Sequence, residues 1–369
     1  MTTRSPAGPI NFRMVRLARE LRGYTQTGLA KQARLPQTRL SRIETGQLAI
    51  NDDELQRIAE SLELPERFFF EPGTPAAVPL FRKRAIRSVR VVSSIQARLN
   101  TAVLVAQRLL DAGIDIDPPN HFPEPGQYSA DEPARAAQDL RRDWRLPFGR
   151  VDDVTALIES VAGIVLRIDF GTDDASAAFV GSLGDQRLWF LVNTRETAGD
   201  RVRLSLSHEL GHAVLHRMQP TLDETETELQ AFTFAAALLL PPEAFDGAVP
   251  FDALTLSVAR ELKRTFGVSI QAIIRAAFDR KRISRGRYTS LYKQLSARQW
   301  RTTEPDAVVL ERPRIFDEVL RVHRETHGYS DQDLAELTHV TIETLADLFP
   351  ESFSARPRLR AVKSQQHVE

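Results

Sequence analysis

Leu206-Ser207-His208-Glu209-Leu210-Gly211-His212-Ala213-Val214-Leu215-His216 contains a His-Glu-x-x-His pattern. On an α-helix, residues four apart lie one above the other on the same face. His208 and His212 can therefore offer two imidazoles to one tetrahedral zinc ion. Glu209, beside the first of them, is placed to act as general base in a metal-assisted hydrolysis. Leu204, Leu210, Val214 and Leu215 supply apolar surface that would bury the helix. Gly211 is costly in mid-helix unless another element packs closely against it. Two histidines four apart also arise by accident in long chains, so the pair alone does not decide the chemistry.

A catalytic zinc usually takes three protein ligands and keeps one position open. Downstream, Glu228 to Pro241 reads as a second helix, stopped by Pro241-Pro242. Glu228 shares a face with Ala231, Phe232 and Ala235, and the alanines would let this helix approach the first closely. The two segments together, His-Glu-Leu-Gly-His-x-x-Leu-His and Glu-x-x-Ala-x-x-Phe-Ala-x-x-Leu-Leu-x-Pro, resemble the ImmA/IrrE family of zinc peptidases. That resemblance implies a zincin-like, gluzincin-type domain with His208, His212 and Glu228 as metal ligands and Glu209 as the catalytic residue. Asp223, Glu224 and Glu226 are nearby acidic alternatives, and they equally suit a charged run at a helix start.

The N-terminal sixty residues carry a different pattern. Phe12 to Leu21, Gln26 to Ala33, Pro36 to Thr45, Asp52 to Leu62 and Pro65 to Phe70 read as five helices, with Gly23 and Gly46 as stops and Thr25 as a cap. Two short helices joined by a few residues suggest a helix-turn-helix. Gln26, Leu29-Ala30, Leu40, Ile43-Glu44 and Gly46 resemble the Xre/phage-repressor class, whose fold is lambda-repressor-like. The resemblance implies that Gln37 to Arg42 enters the major groove of a double-stranded DNA operator. Gln37 would read adenine and Arg39 guanine, with Thr38, Ser41 and Arg42 beside them. Gln26 would contact phosphate or steady Gln37, and Lys31 would contact phosphate. Arg34 stands where that class often has glycine in the turn. A helical protein-docking domain of the same fold is the alternative.

The chain has 369 residues, no cysteine, and 49 basic against 49 acidic side chains. Disulfides and thiolate metal sites are excluded, which suits a reducing cytoplasm. With no net charge, nucleic-acid binding must rest on a local basic patch such as Arg13, Arg16, Lys31, Arg34 and Arg42. No stretch is long and apolar enough to span a membrane, and the N-terminus lacks a signal-peptide core. The expected fold is mainly α with a small β-sheet. The expected domains are the helix-turn-helix (residues 1–75), a helical linker (76–125), the peptidase domain (126–300) and a helical module with a disordered tail (301–369). Pro72 to Pro79, rich in proline and glycine, spans the boundary into the linker, where Phe81 to Arg84 is a basic knot and Val89 to Ala112 forms one long helix. Helices over Glu132 to Trp144 and Val154 to Ala162 precede strands at Ile164 to Asp169, Ala177 to Val180 and Leu188 to Val192. Leu254 to Phe266 and Ile270 to Arg280 read as helices behind the zinc site.

Gly328 to Ala335 weakly repeats Gly23 to Ala30, and Val340 and Leu345 then fall where Leu35 and Leu40 fall. Asp331 replaces Gln26, and Asp333, Glu336, Glu343 and Asp347 make the unit acidic, suited to protein contact rather than phosphate. Helical periodicity alone would produce part of this likeness. Together these features predict a DNA-binding regulator with a zinc-dependent endopeptidase domain, and the two family resemblances imply that it works as a homodimer and cuts a repressor or antitoxin under stress. The alternative is a regulator whose peptidase fold serves only as a sensor or dimerisation unit.

Overall fold

A computed structural model describes residues 9–73, 88–116, 120–181, 187–217, 223–249 and 251–353. The basic knot at Phe81 to Arg84, most of the proline-rich stretch and the tail after Arg356 lie outside the described residues.

The N-terminal helices are α1 (Phe12–Leu21), α2 (Gln26–Gln32), α3 (Gln37–Glu44) and α4 (Asp52–Leu62). The fifth, Glu66–Phe70, is a 3-10 turn rather than an α-helix. Asn51 and Glu54 close a capping box on α4. Arg34 adopts φ 55°, so the turn before α3 does place a non-glycine residue in the left-handed region. The long helix is α5 (Val89–Asp111), which packs against α1.

α6 (Pro133–Asp143) and α7 (Val154–Glu159) lead into β1 (Gly163–Ile168), β2 (Ala177–Gly181) and β3 (Leu188–Asn193). The sheet order is β1-β3-β2, with β1 and β3 parallel and β2 antiparallel at the edge. Alternate side chains of a strand face opposite sides, and here both sides are buried. Ile164, Leu166, Trp189 and Leu191 join a core with α1 to α5. Val165, Phe179, Phe190 and Val192 join a second core with α8 (Gly199–Leu215) and α9 (Glu224–Leu239). That second core is completed by α10 (Pro242–Ala248), α11 (Leu256–Phe266), α12 (Ile270–Asp279) and α13 (Arg285–Ala297). The sequence reading assigned neither α10 nor α13; the latter is mostly polar and buries only Leu291 and Leu295. No helix among the described residues is long and apolar enough to cross a membrane.

The chain then returns to the first core through α14 (Ile315–Arg321), a π-helical turn (Val322–Thr326), α15 (Asp331–Leu337) and α16 (Ile342–Leu348). The weak sequence repeat is a structural repeat. Ser330 caps α15 as Thr25 caps α2. Gly328 and His339 have φ 70° and 57°, against 66° and 55° for Gly23 and Arg34. Val340 N–H donates to the Ala335 carbonyl (3.1 Å) as Leu35 N–H donates to that of Ala30 (2.8 Å). The second unit turns α16, the counterpart of α3, inward. Thr344 Oγ1 accepts from Arg22 (2.7 Å) at the end of α1. Asp347 accepts from Arg98 of α5 (2.6 Å). The Leu348 carbonyl accepts from Asp169 N–H (2.9 Å) just beyond β1, and Glu351 pairs with Arg167 of β1 (3.0 Å).

Reversing the charge at Asp347 sets two cations together at a site where Arg98 is largely buried. Asp347→Arg is therefore expected to lower stability by about 1–3 kcal/mol, whereas Asp347→Asn, which keeps an acceptor, should cost under about 1 kcal/mol. Urea unfolding of the full chain measures both, and equal midpoints would show that the contact carries no weight.

Candidate metal centre and nucleic-acid interface

α8 is buried on almost every face, from Val202 and Leu206 to Val214 and Leu215, as befits a helix enclosed by other elements. α9 lies directly against it. A Cβ placed on Gly211 would sit 3.1 Å from both the Cα and the carbonyl oxygen of Ala231. The glycine thus permits the close approach that its mid-helix position requires. That approach carries Glu228, in the second turn of α9, across to the two histidines.

The Nε2 atoms of His208 and His212 are 3.0 Å apart. Glu228 Oε2 lies 3.5 Å from His208 Nε2, and Oε1 lies 3.3 Å from His212 Nε2. A zinc tetrahedron with bonds of about 2.05 Å has edges of about 3.3 Å, so the triangle fits such an ion. These three are the residues whose ligand atoms converge as a possible metal site among the described residues. Asp223 instead caps α9, accepting from Thr225 and Glu226 N–H, while Glu224 and Glu226 lie in the exposed first turn.

Burial lowers His208 to about 4. Burial would raise Glu228, but bonds from both imidazoles outweigh it and hold the carboxyl down at about 2. A neutral imidazole and an ionised carboxylate are the forms that ligate metal. Burial would lower His212, yet Glu228 and Glu209 outweigh it and raise the group. Glu209 is 2% exposed, and burial pushes it up to about 8. Among the described residues its Oε1 has no hydrogen-bond partner.

Two further contacts complete this site, one expected from the helical spacing of His216 one turn past His212 and one with no signature in the sequence. His216 approaches His212 (Nδ1 to Nδ1, 3.2 Å) and the Gln230 amide oxygen (2.8 Å), so it is held locally rather than joining the triangle. The other is backbone. Asn193 N–H donates to the Ser176 carbonyl, so by antiparallel alternation residues 177, 179 and 181 turn their N–H and C=O away from β3. Phe179 N–H meets the Glu209 carboxylate. Among the described residues no strand pairs with that side of β2, which runs past the general-base candidate.

In the N-terminal unit, Gln37, Thr38, Arg42 and Lys31 are exposed and Ser41 is half-buried. Gln37 donates to Gln26 (3.1 Å), and Gln26 donates to Glu44 (2.9 Å). Glu44 in turn holds the buried Arg19 through two bonds (2.6 and 3.0 Å). Core and surface are thus joined by one polar chain ending at Gln37. Arg39 is held by both oxygens of Glu54 at the start of α4, so that residue serves the fold as well as any contact outside it.

Branching at residue 211 forces α8 and α9 apart. Gly211→Val is expected to cost about 1–3 kcal/mol and to weaken metal binding, while Gly247→Ala, with open space around it, should leave both unchanged. Thermal unfolding and metal titration read the two effects, and wild-type metal affinity in Gly211→Val would show that the close approach does not position Glu228.

Residues 165–278 match the family model of the IrrE N-terminal-like domain, Peptidase_M78. Residues 15–69 match a helix-turn-helix model. No curated protein matches the chain. The chain thus carries an Xre-like helix-turn-helix ahead of a domain of the peptidase family.

Proposed function

We propose that this chain is a DNA-binding transcriptional regulator, cytoplasmic and dimeric, whose second domain is a zinc-dependent endopeptidase that cuts a partner repressor or antitoxin in a stress response. The observation that carries the peptidase reading is the triangle of His208, His212 and Glu228 with the buried carboxylate of Glu209 beside it. Those three side chains would hold zinc. The ion, when bound, supplies Lewis acidity toward the scissile carbonyl. Glu209 takes the proton from the attacking water as its oxygen bonds to the carbonyl carbon. It then returns that proton to the leaving amine as the C–N bond breaks. The outward edge of β2 offers N–H and C=O groups to an extended peptide. On the DNA side, Gln37, Thr38, Ser41 and Arg42 form the reading face, with Arg39 able to contribute once released from Glu54, and Lys31 faces phosphate.

About one zinc per chain is expected by elemental analysis of protein purified without added metal. His212→Ala and Glu228→Ala lose most of it, and Glu209→Gln retains it. Full zinc in Glu228→Ala, with loss in Glu224→Ala or Glu226→Ala, would reassign the third ligand. Glu209→Gln should also leave operator affinity unchanged while a partner protein accumulates in stressed cells. Indistinguishable proteomes would favour the regulator with an idle metal site.

DNA affinity should fall as salt rises. Lys31→Ala weakens all sequences alike and flattens that slope, whereas Arg39→Ala combines relaxed base preference with lower stability, because Glu54 is left unpaired. A full chain showing no salt-dependent binding to any duplex in a gel-shift selection would turn the reading toward protein docking.

A further inference from the structure

The charges of this chain balance, 49 basic against 49 acidic, yet they are not spread evenly. Between Arg280 and Thr303 stand eight basic side chains and no acidic one. Most of that stretch is α13, whose buried face is only Leu291 and Leu295. On a helix, positions 285, 289, 292 and 293 share one side, so Arg285 and Lys293 stand on one stripe with Tyr292 at its border. Both cations are exposed, and among the described residues neither side chain has a hydrogen-bond or ion-pair partner. The acidic groups nearby are engaged elsewhere. α13 packs on α11 and α12, where Glu261 pairs with Arg264 (3.3 Å) and Asp279 with Arg275 (2.7 Å). Asp252 accepts from Ser284 N–H (3.0 Å) at the start of α13, and Glu304 beyond its end holds Lys263 (3.0 Å). The face is also rigid. Tyr288 packs on Phe278 of α12 and on Tyr292, each with centroids 4.6 Å apart, and the Arg301 guanidinium lies over the Tyr292 ring at 6.0 Å. A face kept for solubility alone intersperses both signs, which this one does not.

We propose that the exposed face of α13 is a second contact for double-stranded DNA, indifferent to sequence and separate from the helix-turn-helix. Arg285 and Lys293 are eight residues apart, a rise of about 12 Å along the helix axis. The major groove is about 12 Å wide, so the two cations match phosphates on the two strands that flank it. Phosphate contacts give affinity and position without reading bases, and they draw on unpaired positive charge, which this face supplies. An acidic protein would meet the same charge. The duplex is favoured because the spacing matches its groove and because the chain already carries a helix-turn-helix; the choice of partner to that extent rests on the DNA-binding reading above.

The test measures binding of the full chain to a mixed-sequence duplex by fluorescence anisotropy across a salt series. Arg285→Ala/Lys293→Ala is expected to flatten the slope of log affinity against log salt by about two, at about 0.9 per phosphate contact, with the midpoint of thermal unfolding unchanged. Arg285→Lys/Lys293→Arg, which keeps both charges, should retain the slope. The same flattening is expected when Gln37→Ala/Arg42→Ala has already weakened the contact made by α3. An unchanged slope in Arg285→Ala/Lys293→Ala overturns the proposal. Polyglutamate bound as tightly as the duplex also overturns it and assigns the face to an acidic protein, and so does a single strand bound more tightly than the duplex. Loss of duplex binding in Arg285→Ala/Lys293→Ala, with Gln37→Ala/Arg42→Ala indistinguishable from wild type, supports this contact while overturning the DNA reading of the N-terminal unit.

Discussion

The contact on which the candidate centre depends is the bare backbone of Gly211 against Ala231. His208 and His212 need only helical geometry to come together. Glu228 must be delivered from another helix, and an ångström decides whether a carboxylate falls within ligand reach. Small residues at the crossing fix that distance without relying on long, flexible side chains. The burial of α8 on all sides follows from the same arrangement, and so does the desolvation that raises Glu209.

The sheet gives this helix its other wall and also separates two cores. A three-stranded sheet exposed on one side would leave its apolar residues in water. Here its far side is covered by α5 and the C-terminal helices, and α5 in turn carries α1 of the DNA-binding unit. The metal-centre helix and the DNA-binding helices therefore share a partition. Arg98 ties that partition together by donating to the Asp169 carbonyl beyond β1 and to Asp347.

Much of this was legible in the sequence, for identifiable reasons. α4, α9 and the three strands carry caps, breakers or apolar runs; α8 is marked by its His-Glu-x-x-His spacing rather than by an amphipathic pattern, and Glu228 as the third ligand candidate came from the family resemblance, not from spacing. The repeat at Gly328 was legible because glycine, cap and two apolar positions keep their offsets. α13 was missed because its buried face is only Leu291 and Leu295. The 3-10 character of Glu66–Phe70 was missed because three successive phenylalanines carry no period. The polar partners Gln230, Glu54 and the Phe179 amide were beyond reach, since their roles depend on tertiary placement and nothing local marks them.

The two helix-turn-helix units show how one backbone can be turned to opposite uses. At the positions of Gln37, Thr38, Arg39, Ser41 and Arg42, the second unit carries Ile342, Glu343, Thr344, Ala346 and Asp347. Replacing Arg42 by Asp347 reverses the charge that phosphate would require. Replacing Arg39 and Ser41 by Thr344 and Ala346 makes the face small enough to be buried, and both are buried. The basic partners that such a face needs are supplied by the protein itself, as Arg22 and Arg98. The geometry that projects a helix into a DNA groove here seats α16 between the first unit, α5 and the end of β1. The C-terminal unit is thus a buttress whose electrostatics complement the protein and oppose the nucleic acid.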